Sequence, residues 1–357
     1  MITISLCMIM KNEEKTLPNC LDSVRDIVEE IIIVDTGSTD RSKEIAKRYT
    51  NHIYDFAWTD DFGAARNASF HYATQEYILW LDADDVLLEE ARQKLTLLKQ
   101  TLDPSVDVVS MKYHYAFDEY GNVSLSFRRN RLVKRSKGFR WVGAVHEYLD
   151  VDCPSFRSDI AVTHRRVRSH SDRNLRIYEN LLKTGADLSP RDRFYYANEL
   201  RDHRHFEKAI EQYLAFLQTE EGWIEDVISA CANLADCYHQ TGDRANELRY
   251  TLKSFEYDVP RAEFCCRIGY AFMQRREYRK AIFWYRLATE LPRPQNDSGF
   301  SREACWTWLP HVQLCVCYDR LGEYQKSREH HEIALRYRPD DKAILANQAF
   351  FDRDERR

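Results

Sequence analysis

The stretch Tyr77-Ile78-Leu79-Trp80-Leu81-Asp82-Ala83-Asp84-Asp85 constrains this chain more than any other part of it. An apolar run of strand character ends abruptly in three carboxylates. A near-continuous apolar strand belongs to a sheet covered on both faces, and its end opens on a cleft at the sheet edge. Three acids there repel one another unless a cation sits among them. Oxygen donors suit a hard divalent ion, magnesium or manganese, which shares its shell with phosphate oxygens in many sites. The alternative is a helix N-cap, with Asp84 or Asp85 capping a helix over 86–100; a cap uses one Asp and gains nothing from three.

The surrounding pattern predicts a parallel sheet. Residues 2–9, 30–34, 52–56 and 77–81 read as strands, and 17–28, 39–49 and 62–74 as helices. Alternation of this kind implies helices on both faces of the sheet and a ligand beyond the carboxyl ends of its strands, where Asp35 and Asp82 both fall. Beyond Pro104 the runs 106–115, 123–133 and 139–148 read as a mixed or antiparallel extension.

From Arg191 onward the period is helical and repeats. Phe206-Glu207-Lys208-Ala209 superposes on Tyr278-Arg279-Lys280-Ala281 and on Tyr324-Gln325-Lys326-Ser327. Nine residues before Ala209, Glu247, Ala281 and Ser327, a preceding helix ends in Leu200, Tyr238, Phe272 and Tyr318. The spacings between the later positions are 38, 34 and 46 residues, the last enlarged by an insertion containing Pro292, Pro294, Asn296 and Gly299. Gly242 and Gly322 fall in turns within helix pairs, and Pro339 follows the last pair. The pattern resembles the tetratricopeptide repeat, whose period is about 34 residues. The repeat with Arg244 and Glu247 departs most from it. One helix pair cannot bury its apolar face alone, so stacked pairs form a solenoid.

A chain of 357 residues favours two domains. These are expected at 1–165 and 191–357, with a linker helix over 166–190. No apolar run approaches the ~20 residues a bilayer requires, and the apolar N-terminus reads as a first buried strand, not a signal peptide. The ten cysteines show no Cys-x-x-Cys spacing, which predicts reduced thiols and a cytoplasmic protein. A net charge of −5 argues against indiscriminate nucleic-acid binding. One segment departs from that average. Residues 127–140 carry Arg128, Arg129, Arg131, Lys134, Arg135, Lys137 and Arg140 without an acid, and Arg165, Arg166 and Arg168 add to them. The cluster lines an anionic pocket or forms a solvated face.

Four segments in order carry a resemblance: Lys11-Asn12-Glu13-Glu14 after strand one, Ile33-Val34-Asp35-Thr36-Gly37-Ser38-Thr39-Asp40 after strand two, Asp61-Phe62-Gly63-Ala64-Ala65-Arg66-Asn67 at the third helix, and Leu81-Asp82-Ala83-Asp84-Asp85 after strand four. Together they resemble family 2 glycosyltransferases of the GT-A fold. With the repeats, the chain is similar to bacterial and phage members that glycosylate peptides. The fold implied is an α/β GT-A domain, a Rossmann-like nucleotide-diphospho-sugar transferase, followed by an all-α tetratricopeptide-repeat solenoid.

The resemblance implies a nucleotide-diphosphate sugar as donor, a UDP-sugar first, and Mn2+ or Mg2+ as cofactor. It implies that Asn12, Glu13, Asp35, Arg66 and Asp82 contact the nucleotide, with Asp35 at the base and Asp82 at the ribose or a metal-bound water. Asp84 and His164 would ligate the metal. The chain has His164-Arg165-Arg166-Val167 where relatives show His-x-Gly-Tyr, and Arg165, Arg166 or a residue of the basic run could reach the diphosphate instead. Family 2 enzymes invert the anomeric centre, which requires a base opposite the leaving group. Glu147, in Trp141-Val142-Gly143-Ala144-Val145-His146-Glu147-Tyr148, is the first candidate, Asp118 the second and Asp150 the third. On a strand, His146 and Glu147 would point to opposite faces.

Each residue also has a plain structural reading. Asp35 could close its own turn, Arg66 could be a surface helix arginine, Glu147 an edge-strand acid and His164 an ordinary core histidine. Asp40 is expected to cap the second helix. Concave helix arrays bind extended peptides, which favours a peptide or protein acceptor. A nucleic-acid acceptor, such as modified phage DNA, ranks below it, as does an inactive scaffold that only binds proteins. A nucleotidyltransferase would show a glycine-rich basic loop after strand one, and Lys11-Asn12-Glu13-Glu14 is neither. Trp306 and Trp308 at the end of the array could support a homodimer.

Overall fold

The strands β1 (Ile4–Met10), β2 (Glu30–Asp35), β3 (Ile53–Asp55) and β4 (Tyr77–Trp80) pair in parallel in the order β3-β2-β1-β4. Their side chains alternate between two buried faces. Leu6, Met8, Ile33 and Leu79 point into one core, and Cys7, Ile32, Ile78 and Trp80 into the other. Burial on both sides explains why these runs are apolar without a polar stripe. The helices α1 (Leu17–Asp22), α2 (Ser42–Ala46) and α3 (Phe62–His71) connect the strands. In this computed structural model, which describes residues 1–165, 172–293 and 302–354, α1 is shorter than its apolar spacing predicts. The Ser23 hydroxyl donates to the Cys20 carbonyl at 2.7 Å as the helix ends, and the chain continues to Val28 in turns that keep Val24 and Ile27 buried.

The sheet continues through β5 (Asp85–Leu87), β6 (Val108–Phe117), β7 (Val123–Lys134) and β10 (Phe156–His164), giving eight strands ordered β3-β2-β1-β4-β7-β6-β10-β5. β7 is antiparallel to both β4 and β6, β10 is parallel to β6, and β5 is antiparallel to β10. This corrects the helix expected over 86–100. The backbone of 85–87 finds a sheet partner in β10, and helix α4 (Glu89–Thr101) starts after it with Leu88, not an Asp, at its cap. The run 139–148 is likewise not one strand. It splits into β8 (Arg140–Val142) and β9 (Tyr148–Asp150), which pair with each other and are joined by a bend with His146 at φ 51°. Helix α5 (Arg173–Lys183), in the stretch read as a linker, buries Ile177 and Tyr178 within the first of two units, Met1–Tyr195.

The second unit, Tyr196–Arg357, is helical. It takes in most of α6 (Pro190–Asp202), then α7 (Phe206–Gln218), α8 (Ile224–Thr241), α9 (Arg244–Lys253), α10 (Ala262–Gln274), α11 (Tyr278–Glu290), α12 (Trp308–Arg320), α13 (Tyr324–Tyr337) and α14 (Lys342–Asp354). Consecutive helices pack as pairs, α8 on α9, α10 on α11, α12 on α13. Ala209, Ala281 and Ser327 are buried where helices meet. Glu247 is buried at the corresponding place, and its carboxylate is satisfied by His239 at 2.9 Å and Arg244 at 2.8 Å. That closed pairing is how the most divergent repeat tolerates an acid where the others have a small residue. The insertion residues Pro294, Asn296 and Gly299 lie outside the described residues. Among the described residues no helix is long and apolar enough to cross a membrane.

Candidate active site

The carboxyl ends of the parallel strands bring the chemistry together. β4 ends at Trp80, and the next turn is pinned by the Asp82 amide, which donates to Asp85 Oδ2 at 3.0 Å. Asp85 has no solvent exposure, and both its oxygens are engaged. Oδ1 accepts from the Tyr113 hydroxyl at 2.9 Å, while Oδ2 also meets Arg131 Nη1 at 3.0 Å. Asp84 projects beside it, partly exposed, with its backbone carbonyl accepting the Arg165 amide at 2.8 Å. That bond ties the turn to the end of β10, which delivers His164.

His164 Nδ1 stands 3.5 Å from Asp84 Oδ1, 3.4 Å from Asp85 Oδ1 and 2.9 Å from the Tyr113 hydroxyl. One ligand atom from each of Asp84, Asp85 and His164 lies within 4.8 Å of the others. Two carboxylates and an imidazole form a donor set suited to a divalent cation of manganese or magnesium type. With Asp85 committed to Arg131, Tyr113 and the Asp82 amide, Asp84 and His164 are the freer ligands. The electrostatics fit the same reading. Burial, then repulsion from Asp82, Asp85 and Glu13, pushes the Asp84 carboxyl up to about 6, with His164 pulling the other way. Burial alone would lower His164, but its hydrogen bond to Asp85 and the charges of Asp84, Asp85 and Asp82 raise it above the ordinary histidine value. A cation would relieve this crowding of negative charge.

A second network centres on Arg66, carried by α3. The helix starts at Asp61, whose side chain accepts the Ala64 amide at 2.8 Å. Gly63 lets it approach the β8–β9 bend, since a Cβ there would lie 2.6 Å from the Gly143 carbonyl oxygen. Arg66 is not a surface residue. Its guanidinium lies between Trp80 at 5.0 Å and Trp141 at 4.9 Å. Nη2 donates to Asp82 at 2.6 Å and Nε to Glu147 Oε1 at 2.5 Å. Burial would raise the Asp82 carboxyl, but Arg66, Arg131 and Arg129 hold it well below the usual carboxylate range.

Glu147 reaches this network from the bend, not from a strand, which corrects the expected alternation with His146. The bend is held by Phe62 N to Ala144 O at 2.8 Å, by reciprocal bonds between Asn67 and the Trp141 backbone at 2.9 Å, and by Tyr178 OH to Val145 O at 3.4 Å. His146 turns away and stacks on Tyr195 with centroids 4.4 Å apart.

Across the sheet edge, Asn12, with φ 56°, accepts the Thr39 amide at 2.6 Å and donates its own amide to Ser38 Oγ at 2.9 Å. The buried Asp35 carboxylate accepts from the Ser38 amide at 3.1 and 3.2 Å and from its hydroxyl at 2.5 Å. Glu13 accepts the Thr16 hydroxyl at 2.7 Å. Asp40 accepts the Ser42 amide at 2.9 Å at the start of α2, although Arg41 occupies the cap position.

Asp118 lies in the β6–β7 turn, one residue beyond the end of β6. Its carboxylate shapes the β6–β7 hairpin turn by accepting the Tyr120 and Asn122 amides at 3.0 and 2.8 Å. It lies five residues along the chain from Tyr113, about 16 Å in extended chain. Asp150 ends β9 with its side chain exposed. Sequence reasoning did not single out Tyr113 or Trp141 as site residues, and it offered Arg131 only as one member of a basic run that could reach the diphosphate. The basic run resolves into separate roles: Arg131 is buried on Asp85, Arg128 bonds the carbonyls of Ser110 and Ser158, and Lys134 and Lys137 pair with Asp107. Arg166 and Arg168 lie outside the described residues.

Residues 5–165 match the family model described as glycosyl transferase family 2, and residues 262–294 match a tetratricopeptide repeat model. A TPR repeat-containing protein of Synechococcus elongatus is 39% identical over 150 residues, which is 42% of this chain and 36% of that protein. The SPbeta prophage-derived glycosyltransferase SunS of Bacillus subtilis is 28% identical over 256 residues, 65% of this chain and 58% of that protein. The chain therefore spans less than two thirds of the length of either relative. The crystal structure of S. aureus TarS 1-349 is 14% identical, covering 71% of this chain and 91% of that one with a TM-score of 0.35.

Proposed function

We propose that this chain, which carries a family 2 glycosyl transferase domain followed by tetratricopeptide repeats, is an inverting, metal-dependent sugar transferase of the cytoplasm. It moves a sugar from a nucleoside diphosphate, UDP first, to a peptide or protein acceptor held by residues 191–357. The observation that carries this reading is the meeting of Asp84, Asp85 and His164 within 4.8 Å at the carboxyl ends of parallel strands, beside the Arg66 network.

The residues divide the work as follows. Asp35 and the turn it closes receive the base, with Asn12 fixing the turn and Glu13 lining the approach. Asp82, kept ionised by Arg66, accepts from the ribose. Asp84 and His164 hold manganese or magnesium, and Asp85 fixes their positions. A divalent ion in this place supplies charge stabilisation to the departing diphosphate. Glu147 takes the acceptor's proton. Its Oε1 is bound to Arg66, while Oε2 makes no hydrogen bond with the described residues and can receive a proton. Arg66 thus ties the donor side to the acceptor side through one planar cation.

The test is turnover of UDP-, GDP- and dTDP-sugars with manganese, followed by mass analysis of acceptors in cell extract. D84N should lower turnover about a thousandfold and abolish manganese-assisted donor binding, with its melting transition retained. E147Q should lose transfer and keep donor binding. Wild-type turnover in D84N would end the metal reading, and lost donor binding in E147Q would remove Glu147 from the base role.

A further inference from the structure

Arg129 makes none of the hydrogen bonds or ion pairs of the networks described so far, although its charge acts on Asp82. It lies on β7 two residues before Arg131, and although the pairing with β6 shifts register between Asn130 and Leu132, both guanidiniums come to the same two rings. The two guanidiniums share an aromatic enclosure. Arg131 stands 3.9 Å from the Trp80 ring and 4.6 Å from Tyr113. Arg129 stands 5.7 Å from Trp80, 5.4 Å from Tyr113 and 5.5 Å from Phe127. Arg131 is the inner of the two, fully buried and bound to Asp85. Arg129 is the outer one, half-buried. Among the described residues it has neither a hydrogen-bond partner nor an ion pair.

That lack is not for want of acids. It shares the Trp80 and Tyr113 rings with Arg131, which is bound to Asp85, and its charge helps to lower the Asp82 carboxyl. Both carboxylates are engaged elsewhere, Asp82 with Arg66 and Asp85 with Arg131. Three rings restrain a long cationic side chain and leave its N–H fork open.

We propose that Arg129 is an anion-binding residue that grips the donor's diphosphate by direct guanidinium–phosphate hydrogen bonds from the β7 side of the cluster. A planar fork matches two phosphate oxygens at once. This rests on the nucleotide-sugar reading above and adds a protein contact that does not require the cation. Affinity for a nucleoside diphosphate should therefore persist in part under chelation.

The experiment is calorimetry on the full chain with UDP and with uridine, each in manganese and in EDTA, for wild type, R129M and R129K. In EDTA, UDP should bind R129M roughly tenfold to a hundredfold more weakly than wild type. R129K, which keeps the charge but not the fork, should fall between them. Uridine should bind all three alike. Thermal melting checks folding, and if R129M does not fold, R129K alone decides by a several-fold loss or none. Wild-type UDP affinity in the folded variants, or an equal loss for uridine, overturns the role of Arg129 while leaving the donor reading intact. A folded wild-type protein that binds no nucleoside diphosphate with or without manganese overturns both.

Discussion

Arg131 and Arg261, a buried arginine from each unit, are partnered differently. In the repeat unit Arg261 is closed. Its Nη1 and Nη2 meet Glu225 at 2.8 and 2.9 Å, and its Nε and Nη2 meet Asp258 at 3.0 and 2.9 Å. In the first unit Arg131, with no exposure at all, meets Asp85 and the Trp80 carbonyl through one nitrogen, and its Nε and Nη2 have no partner among the described residues. Trp141, edge-on to Trp80 with ring centroids 4.7 Å apart, leaves its indole N–H without a partner among the described residues as well. Unmet buried donors cost about 1–3 kcal/mol each. Closed networks need nothing further and act as structural ties. Open ones, gathered at strand ends beside crowded carboxylates, have the form of a site that a ligand completes.

The comparison breaks most readily at Arg261. R261M leaves Glu225 buried without its cation, which should destabilise the repeat unit by about 3–5 kcal/mol. Chemical denaturation of the full chain, followed by far-UV circular dichroism, would register it as a helical transition at lower denaturant. A loss under 1 kcal/mol would mean that closure does not matter to stability there.

Glu263 sharpens the contrast, because it is the repeat unit's exception. Its Oε2 is buried without a partner, and burial raises its carboxyl to about 7, with Arg261 and Arg302 opposing only partly. A carboxyl raised in the folded state stabilises fully below its unfolded value near 4.5, and that contribution is lost as pH rises through about 7. Wild type should therefore lose up to about 3 kcal/mol relative to E263Q between pH 5 and pH 8. Urea midpoints of the two proteins across that range measure the difference. Parallel pH profiles would show that Glu263 is not the strained acid its burial implies.

Legibility in the sequence follows the same division between local pattern and tertiary contact. The strand ends at Asp35 and Asp82 are readable because a strand buried on both faces is apolar throughout, so a carboxylate marks where it emerges. The repeats are readable because Ala209, Ala281 and Ser327 recur where helices must approach. Glu147 could be singled out but not placed. Its segment alternates like a strand, and the bend depends on Phe62, Asn67 and Tyr178, which are distant in sequence. Arg131 and Arg129 were visible only as members of a basic run. Nothing local separates an arginine stacked under Trp80 from one bonded to the Ser158 carbonyl. Asp118 looked available as a base because its turn is closed only once β6 and β7 pair.

The smallest effect concerns the turns within the repeats. Gly242 and Gly322 hold left-handed backbone, φ 83° and 73°, and the turns of the other two helix pairs put Arg204 and Arg276 there at φ 64° and 59°. A left-handed residue with a Cβ is strained by roughly 1 kcal/mol, and glycine relieves the strain but loses more freedom on folding. Arg276 is exposed, so little packing is lost on replacing it. R276G should stabilise the unit by about 0.5 kcal/mol, and G242A should destabilise it by about 1 kcal/mol. Urea midpoints with unchanged slopes would report both. If R276G proves as destabilising as G242A, then the arginine turns rest on contacts of their own, and the repeat unit would hold an open site as well as its closed ties.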